Sequence, residues 1–188
     1  ILSLAKEEVG LDLISDRPLI VSIGRLTKQK DHITLLKAFN EIHSNIDCNL
    51  YIIGEGSERR NLEQFIKDNN IGDKVKLLGY QNNPWKFLSK SNLFVLPSIW
   101  EGFGNVIVES MLIGIPVVSS DCPSGPREIL NNGQSGKLFQ VGDYKHLAKI
   151  IEDTILSDNS ELINHAKLRS KDFTIEKITQ EYQKVLTY

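Results

Sequence analysis

The residues of this chain best suited to chemistry lie in Glu101-Gly102-Phe103-Gly104-Asn105-Val106-Ile107-Val108-Glu109, where two carboxylates flank a glycine-rich turn. The apolar run before it, Leu93–Leu96 and then Pro97, reads as a short buried strand, and Val106 to Ile113 reads as a packed helix. Strand, turn and helix start together form a backbone anion site, because the first amides of a helix have no internal partner. Gly102 and Gly104 permit the turn and a close ligand approach. Asn105 is expected to cap the helix, with the Asn105 and Val106 amides facing a phosphate. Glu101 on the turn and Glu109 about one turn inside the helix can both accept hydroxyl hydrogens from the same ligand. A ligand carrying many hydroxyls and a phosphate is a nucleotide sugar.

A second cluster is cationic. Ile20-Val-Ser-Ile-Gly24-Arg25-Leu-Thr-Lys28-Gln-Lys30 sets Arg25 after a strand and Lys30 before a helix. Arg supplies fork geometry and Lys a movable point charge, a pairing suited to a diphosphate; the competing reading is a solvated basic loop, which is where Lys28 is placed. Glu109 interrupts an apolar run, and a carboxylate in such surroundings needs partners. Gly54-Glu55-Gly56 ends another strand, where ligands gather in open α/β sheets, although a simple strand-to-helix turn explains it equally well. Asp121-Cys-Pro-Ser124-Gly125-Pro-Arg127-Glu128 holds a loop stiffened by two prolines. That loop can carry Ser124 and the Gly125 amide to a sugar, while Arg127 and Glu128 also read as an exposed pair at a helix start.

These segments, in this order, resemble the retaining glycosyltransferases of family 4, which have the GT-B fold. The similarity rests on Glu101 to Glu109, on Gly24-Arg25-Leu with Lys30, on Tyr51-Ile-Ile-Gly54-Glu-Gly56, and on Gly114-Ile-Pro-Val-Val-Ser-Ser-Asp121. It runs from about Arg17 to Leu156 and more loosely to the end. The family has glycine after the lysine, where this chain has Asp31; an Asp there is expected to cap the helix and hold Lys30 in place. The resemblance implies the carboxy-terminal, donor-binding half of a two-domain enzyme. By it, Arg25 and Lys30 stabilise the departing nucleotide diphosphate, Glu101 takes donor-sugar hydroxyls, and Glu109 takes the ribose. Gly24 and Gly54 border the nucleotide, and backbone at Tyr80 and Gln81 reads the base. Phe103 either lines the sugar or packs in the core. The Ser124–Gly125 loop looks like that of members transferring N-acetylhexosamines in bacterial surface-glycan assembly.

What must position these residues is an α/β domain. Apolar β-branched runs alternate with helical stretches, and runs apolar throughout rather than alternating are expected where helices cover both faces of a parallel sheet. Strands are predicted at Leu19–Ile23, Asn49–Ile53, Val75–Leu78, Leu93–Leu96, Pro116–Ser119 and Lys137–Phe139. Helices are predicted to follow caps at Asp31, Ser57, Asn83-Pro84 and Asp143. The inward residues are Ile33, Leu36, Ala38 and Phe39, then Leu62, Phe65 and Ile66, then Leu147, Ile150 and Ile151. A final amphipathic helix carries Ile175, Ile178, Tyr182 and Leu186.

At 188 residues, 40% apolar and 24% charged, the chain fits one ordinary globular domain. A net charge of −2 gives no reason to expect nucleic acid as a partner. No apolar run reaches membrane-span length, and the start lacks the pattern of a signal peptide and an initiator Met, which suits a piece of something longer. Cys48 and Cys122 read as reduced thiols, and neither they nor the four histidines have ligand spacing, so no metal or cofactor is expected.

The reading is therefore a Rossmann-like three-layer domain at 1–171, a crossover helix at 172–188, and an absent amino-terminal acceptor domain. It expects a cytoplasmic transferase, peripheral at the inner membrane face when whole. Such an enzyme would move a hexose or N-acetylhexosamine from a nucleotide-diphosphate sugar, UDP favoured, to a glycan or lipid-linked acceptor. The alternatives are an epimerase or hydrolase of the same ligand, or a nucleotide-binding or docking module without chemistry.

Overall fold

A computed structural model describes residues 1–10 and 16–186. Six parallel strands form one sheet: β1 (Leu19–Ile23), β2 (Asn49–Ile53), β3 (Val75–Leu77), β4 (Leu93–Leu96), β5 (Val117–Ser120) and β6 (Lys137–Phe139). Their spatial order is β3-β2-β1-β4-β5-β6. The chain first winds outward from β1 to β3, then returns to the other side of β1 and winds outward to β6. Between β1 and β4 the winding direction reverses, and in such sheets the crevice beyond the strand ends at that point is where ligands bind.

The six strands fall where the apolar runs predict them, with β3 ending one residue early and β5 displaced by one residue. Both sheet faces are covered. Ile20, Leu50, Ile52 and Val95 face one layer built from α1 (His32–Ile42), α2 (Arg59–Asp68) and α6 (Tyr144–Leu156). Val21, Ile53, Phe94 and Leu96 face the other, built from the short α3 (Trp85–Leu88), α4 (Asn105–Ile113), the short α5 (Pro126–Ile129) and α7 (Ser160–Ser170). Alternate residues of each strand thus enter two different cores, which is why the runs show no polar alternation.

Helix starts depart from the sequence reading more than strands do. Asp143 caps α6 as expected, accepting from the His146 amide at 3.0 Å. Glu58 rather than Ser57 precedes α2, and Gly104 rather than Asn105 precedes α4, at φ 100°. Asn83 does not cap α3; its amide donates instead to the Leu4 carbonyl oxygen at 2.8 Å. In each case a long-range contact or a backbone angle overrides the local cap.

Beyond α7, residues 171–173 make a tight turn and α8 (Ile175–Leu186) follows. Phe173 is half-buried, its ring edge-on to Phe103 at 5.6 Å between centroids. No residue of α8 is buried, and Ile175, Ile178, Tyr182 and Val185 leave an exposed apolar stripe. A chain ending at Thr174 should therefore melt within about 3 °C of the full chain, whereas Phe94→Ala should cost about 3–5 kcal/mol in urea unfolding. A large loss on truncation would make α8 part of the fold's stability.

Candidate functional site

The reversal point between β1 and β4 gathers the two sequence clusters into one site. Beyond β1 the chain runs through Gly24 and Arg25 into a tight turn at Lys28–Lys30, and beyond β4 it runs through Ser98 to Glu101. The two segments are tied together: the Ile99 amide donates to the Gln29 carbonyl oxygen at 2.8 Å, and the Gln29 side-chain amide donates to the Trp100 carbonyl oxygen at 2.9 Å.

Across this junction the Lys30 ammonium meets Glu101 Oε1 at 2.5 Å. Both side chains are well buried, at 14% and 7% exposure. The Ser98 hydroxyl donates to the same carboxylate oxygen at 2.5 Å, and the Ser120 hydroxyl at the end of β5 donates to the Ser98 carbonyl oxygen. A chain of polar contacts therefore runs from β5 through Ser98 and Glu101 to Lys30. The stem of Lys30 lies over Gly24, where a Cβ would meet Lys30 Cδ at 3.3 Å. Glu101, not Asp31, is what holds Lys30; the Asp31 carboxylate accepts instead from the Thr34 hydroxyl at 2.6 Å. Arg25 is exposed and forms no ion pair among the described residues, which leaves its guanidinium available at the crevice.

The turn 102–104 leads into α4, whose first amides, those of Asn105 and Val106, have no partner within the helix. Glu109, half-buried on α4, already has one partner: the Trp85 indole N–H donates to its Oε2 at 2.8 Å. Among the described residues its other oxygen has no hydrogen-bond partner. The 121–125 loop closes against the turn, with the Glu101 amide near the Pro123 carbonyl oxygen. Gly125 sits so close that a Cβ there would lie 1.9 Å from the Phe103 carbonyl oxygen. Ser124 in that loop is exposed in a left-handed conformation, φ 65°. Arg127 pairs with Asp121 in a two-pronged contact rather than with Glu128. Phe103 packs at the core margin against Phe173.

At the far edge of the crevice Gly54 is fixed by packing. A Cβ would fall 2.0 Å from the Gly24 carbonyl oxygen, so only glycine lets the segments after β1 and β2 lie this close. Tyr80 is exposed, and the Gln81 side chain turns back to the Leu78 carbonyl oxygen at 2.9 Å. Cys48 and Cys122 are both buried and unbridged, and burial pushes the Cys48 thiol up to about 11. Among the described residues no three His, Cys, Asp or Glu side chains converge as a metal group, and no helix is long and apolar enough to cross a membrane.

The sequence reading did not single out Trp85, Ser98 or His32. The first two touch the paired carboxylates from 24 and 3 residues away. A tryptophan just inside a helix start whose N–H needs an acceptor is the only local signal for Trp85. His32 opens α1 at 3% exposure, and its burial lowers the imidazole to about 3, with the Lys30 charge adding to the shift.

Two outcomes follow. Lys30→Met leaves the Glu101 carboxylate buried without its counter-charge and should cost about 3 kcal/mol in urea unfolding. The double variant Lys30→Met with Glu101→Gln should recover most of that loss; additive losses would mean the two residues do not depend on each other. His32 stays neutral when folded but takes a proton near pH 6.5 when unfolded. Its contribution is thus complete above about pH 6.5 and lost as pH falls toward 3, with a slope approaching about 1.4 kcal/mol per pH unit. His32→Gln should flatten that part of the stability–pH curve, and an unchanged slope would assign it to other groups.

The family model described as Glycosyl transferases group 1 matches residues 6–171. The chain is 36% identical over 188 residues to an N-acetylgalactosamine-N,N'-diacetylbacillosaminyl-diphospho-undecaprenol 4-alpha-N-acetylgalactosaminyltransferase of Campylobacter jejuni, covering 96% of this chain and 50% of that protein. It is 32% identical over 186 residues to a lipopolysaccharide core biosynthesis glycosyltransferase, LpsE, of Rhizobium meliloti, covering 97% of this chain and 53% of that protein. The crystal structure of Anabaena HepE in complex with UDP superposes with a TM-score of 0.81 at 26% identity, over 92% of this chain and 49% of that one. The chain spans about half the length of the curated relatives it matches. With a Rossmann-like α/β domain of the kind found in GT-B glycosyltransferases and a family match over most of its length, the chain belongs to the group 1 glycosyl transferases.

Proposed function

We propose that this chain is the donor-binding part of a retaining glycosyltransferase, taking a hexose or N-acetylhexosamine from a UDP-sugar. The observation that carries the reading is the meeting of Lys30 and Glu101 at the β1–β4 crevice, beside the open amides at the start of α4. One ligand can engage all three: a diphosphate on Lys30, Arg25 and the Asn105 and Val106 amides, a sugar ring whose hydroxyls donate to Glu101, and a ribose that donates to the free oxygen of Glu109. Base recognition falls to the backbone around Tyr80 and Gln81, bordered by Gly54, and the Ser124–Gly125 loop covers the sugar. UDP as the nucleotide is supported by the ligand of Anabaena HepE, and a lipid-linked or polysaccharide acceptor by the names of the Campylobacter and Rhizobium relatives.

In this mechanism the bond from the anomeric carbon to the diphosphate oxygen breaks and its electron pair leaves with the nucleotide. The acceptor hydroxyl oxygen takes that carbon from the same face, and its proton passes to the departing diphosphate. Lys30, Arg25 and the helix amides stabilise the charge that develops there, usually the largest contribution to such transfers. The acceptor is held by a second, amino-terminal domain, against which the apolar stripe of α8 packs. Such an enzyme works from the cytoplasmic side, at the inner face of a membrane that presents lipid-linked acceptors.

Calorimetric titration of the chain with UDP, GDP and ADP tests the donor site. Lys30→Ala should weaken UDP by about 1–3 kcal/mol and leave uridine unchanged. Glu109→Gln should weaken UDP more than its 2′,3′-dideoxyribose analogue. Equal losses for UDP and uridine would remove Lys30 from the diphosphate, and equal losses for the two ribose forms would remove Glu109 from the ribose.

A further inference from the structure

The two carboxylates of the site are held in different ways. Glu101 has a cation, Lys30, whereas Glu109 has a neutral neighbour. Trp85, the first residue of α3, donates its indole N–H to Glu109 Oε2 at 2.8 Å, across 24 positions of sequence. Among the described residues no Lys, Arg or His forms a salt bridge with Glu109.

The indole is well anchored for this task. A helix of four residues has little stability of its own, so its position is set by what surrounds it. Asn83, just before α3, donates its side-chain amide to the Leu4 carbonyl oxygen at 2.8 Å. Ser89, just after it, donates its hydroxyl to the Ala5 carbonyl oxygen at 2.6 Å. Ala5 is buried, and so are Phe87 and Leu88 on α3 itself. The Trp85 ring packs on the same core as Val106 and Val108, which flank the start of α4 on which Glu109 stands. Both ends of α3 are thus tied to the segment ahead of β1, and its first side chain reaches α4.

A packed indole needs an acceptor for its N–H, but a backbone carbonyl or a neutral amide would serve it as well. A half-buried carboxylate without a counter-charge is a costly acceptor, and the cost falls when further donors arrive. An indole N–H is a donor only, with one hydrogen in a fixed direction. It therefore holds one oxygen of Glu109 and fixes the plane of the carboxylate without cancelling its charge. A lysine in its place would neutralise Glu109 and compete with an incoming hydroxyl pair. The arrangement suits a ligand that brings two adjacent neutral donors, as the 2′- and 3′-hydroxyls of a ribose do.

We propose that Trp85 is a positioning residue for ribose recognition, aiming the Glu109 carboxylate so that the site takes ribonucleotides in preference to nucleotides lacking those hydroxyls. The proposal rests on the donor-site reading above, in which Glu109 meets the ribose. Trp85 touches no part of the ligand in this role; it acts through Glu109 alone.

The test is a double-variant cycle read by calorimetric titration with UDP and its 2′,3′-dideoxyribose analogue. Trp85→Phe keeps the packed ring and removes the N–H. It should weaken UDP by about fivefold or more and the dideoxy analogue by less than about twofold. In a Glu109→Gln background the same substitution should cost UDP less than about a further twofold. Equal losses for the two ligands, or losses that add in the double variant, would reduce Trp85 to packing and overturn the proposal. A second measurement needs no substitution at Trp85. The chain has two tryptophans, so Trp100→Phe identifies the Trp85 indole N–H signal in a nitrogen-15 spectrum. UDP should displace that signal saturably, and the dideoxy analogue should displace it less; equal displacement would also overturn the proposal. Failure of UDP to bind the unaltered chain would sink the donor-site reading and this proposal together, whereas UDP binding with either overturning result would sink this proposal alone.

Discussion

The ion pair between Lys30 and Glu101 is the interaction on which the site depends. It joins residues 71 positions apart, across the place where the sheet's winding reverses. Everything around it serves to bring those two side chains together. The parallel order sets the ends of β1 and β4 side by side, Gly24 leaves room for the lysine stem, and Ser98, held in turn by Ser120, fixes the carboxylate from the other side. Taking two charges out of water is expensive, and the attraction between them repays the cost only when further hydrogen bonds complete the geometry. Here Ser98 supplies one such bond, from β4's extension, so the strand order and the charged pair stabilise each other.

The same constraint explains how tightly the loops at this end of the sheet are packed. The segment after β2 crosses the segment after β1 with no room for a side chain at Gly54, and the 121–125 loop meets the 101–104 turn with none at Gly125. Backbone-to-backbone contact at both edges sets peptide groups beside the charged side chains of the crevice. Peptide groups do not change rotamer, so a ligand entering there meets donors and acceptors already in place, with little ordering left to do. The Lys30 side chain, by contrast, is held in place by the Glu101 carboxylate.

Much of the fold was legible in the sequence because both faces of the sheet are buried. Six apolar runs needed no alternation to be recognised, and their order along the chain already implied parallel pairing. The candidate site residues were legible as types: two carboxylates, two cations and a glycine-rich turn. Their pairing was not. Nothing local says that Glu101 meets Lys30 rather than solvent, or that Glu109 meets the Trp85 indole, since both contacts are created by the strand order. Caps failed for a related reason. Asn105 and Asn83 have the right chemistry, yet Gly104 takes the backbone angle that starts α4, and Asn83 is drawn to the Leu4 carbonyl 79 residues away. Asp31 misled most, being read as a support for Lys30 when its carboxylate turns to the Thr34 hydroxyl.

Under the proposed reading, the free state of the site carries its own consequence for selectivity. Lys30 and Glu101 neutralise one another before any ligand arrives. A diphosphate that draws Lys30 away offers the ammonium a new partner but leaves Glu101, at 7% exposure, with only Ser98. A buried carboxylate deprived of its counter-charge is costly, so a bare nucleotide diphosphate gains on one side of the pair and loses on the other. A sugar attached to the diphosphate removes that loss, because its hydroxyls donate to the carboxylate that the lysine has left. The pair thereby makes the two halves of the donor cooperate: each half is bound at full strength only when the other is present. That coupling favours the intact donor over the nucleotide it becomes, which suits a site that must release its product after the sugar has gone.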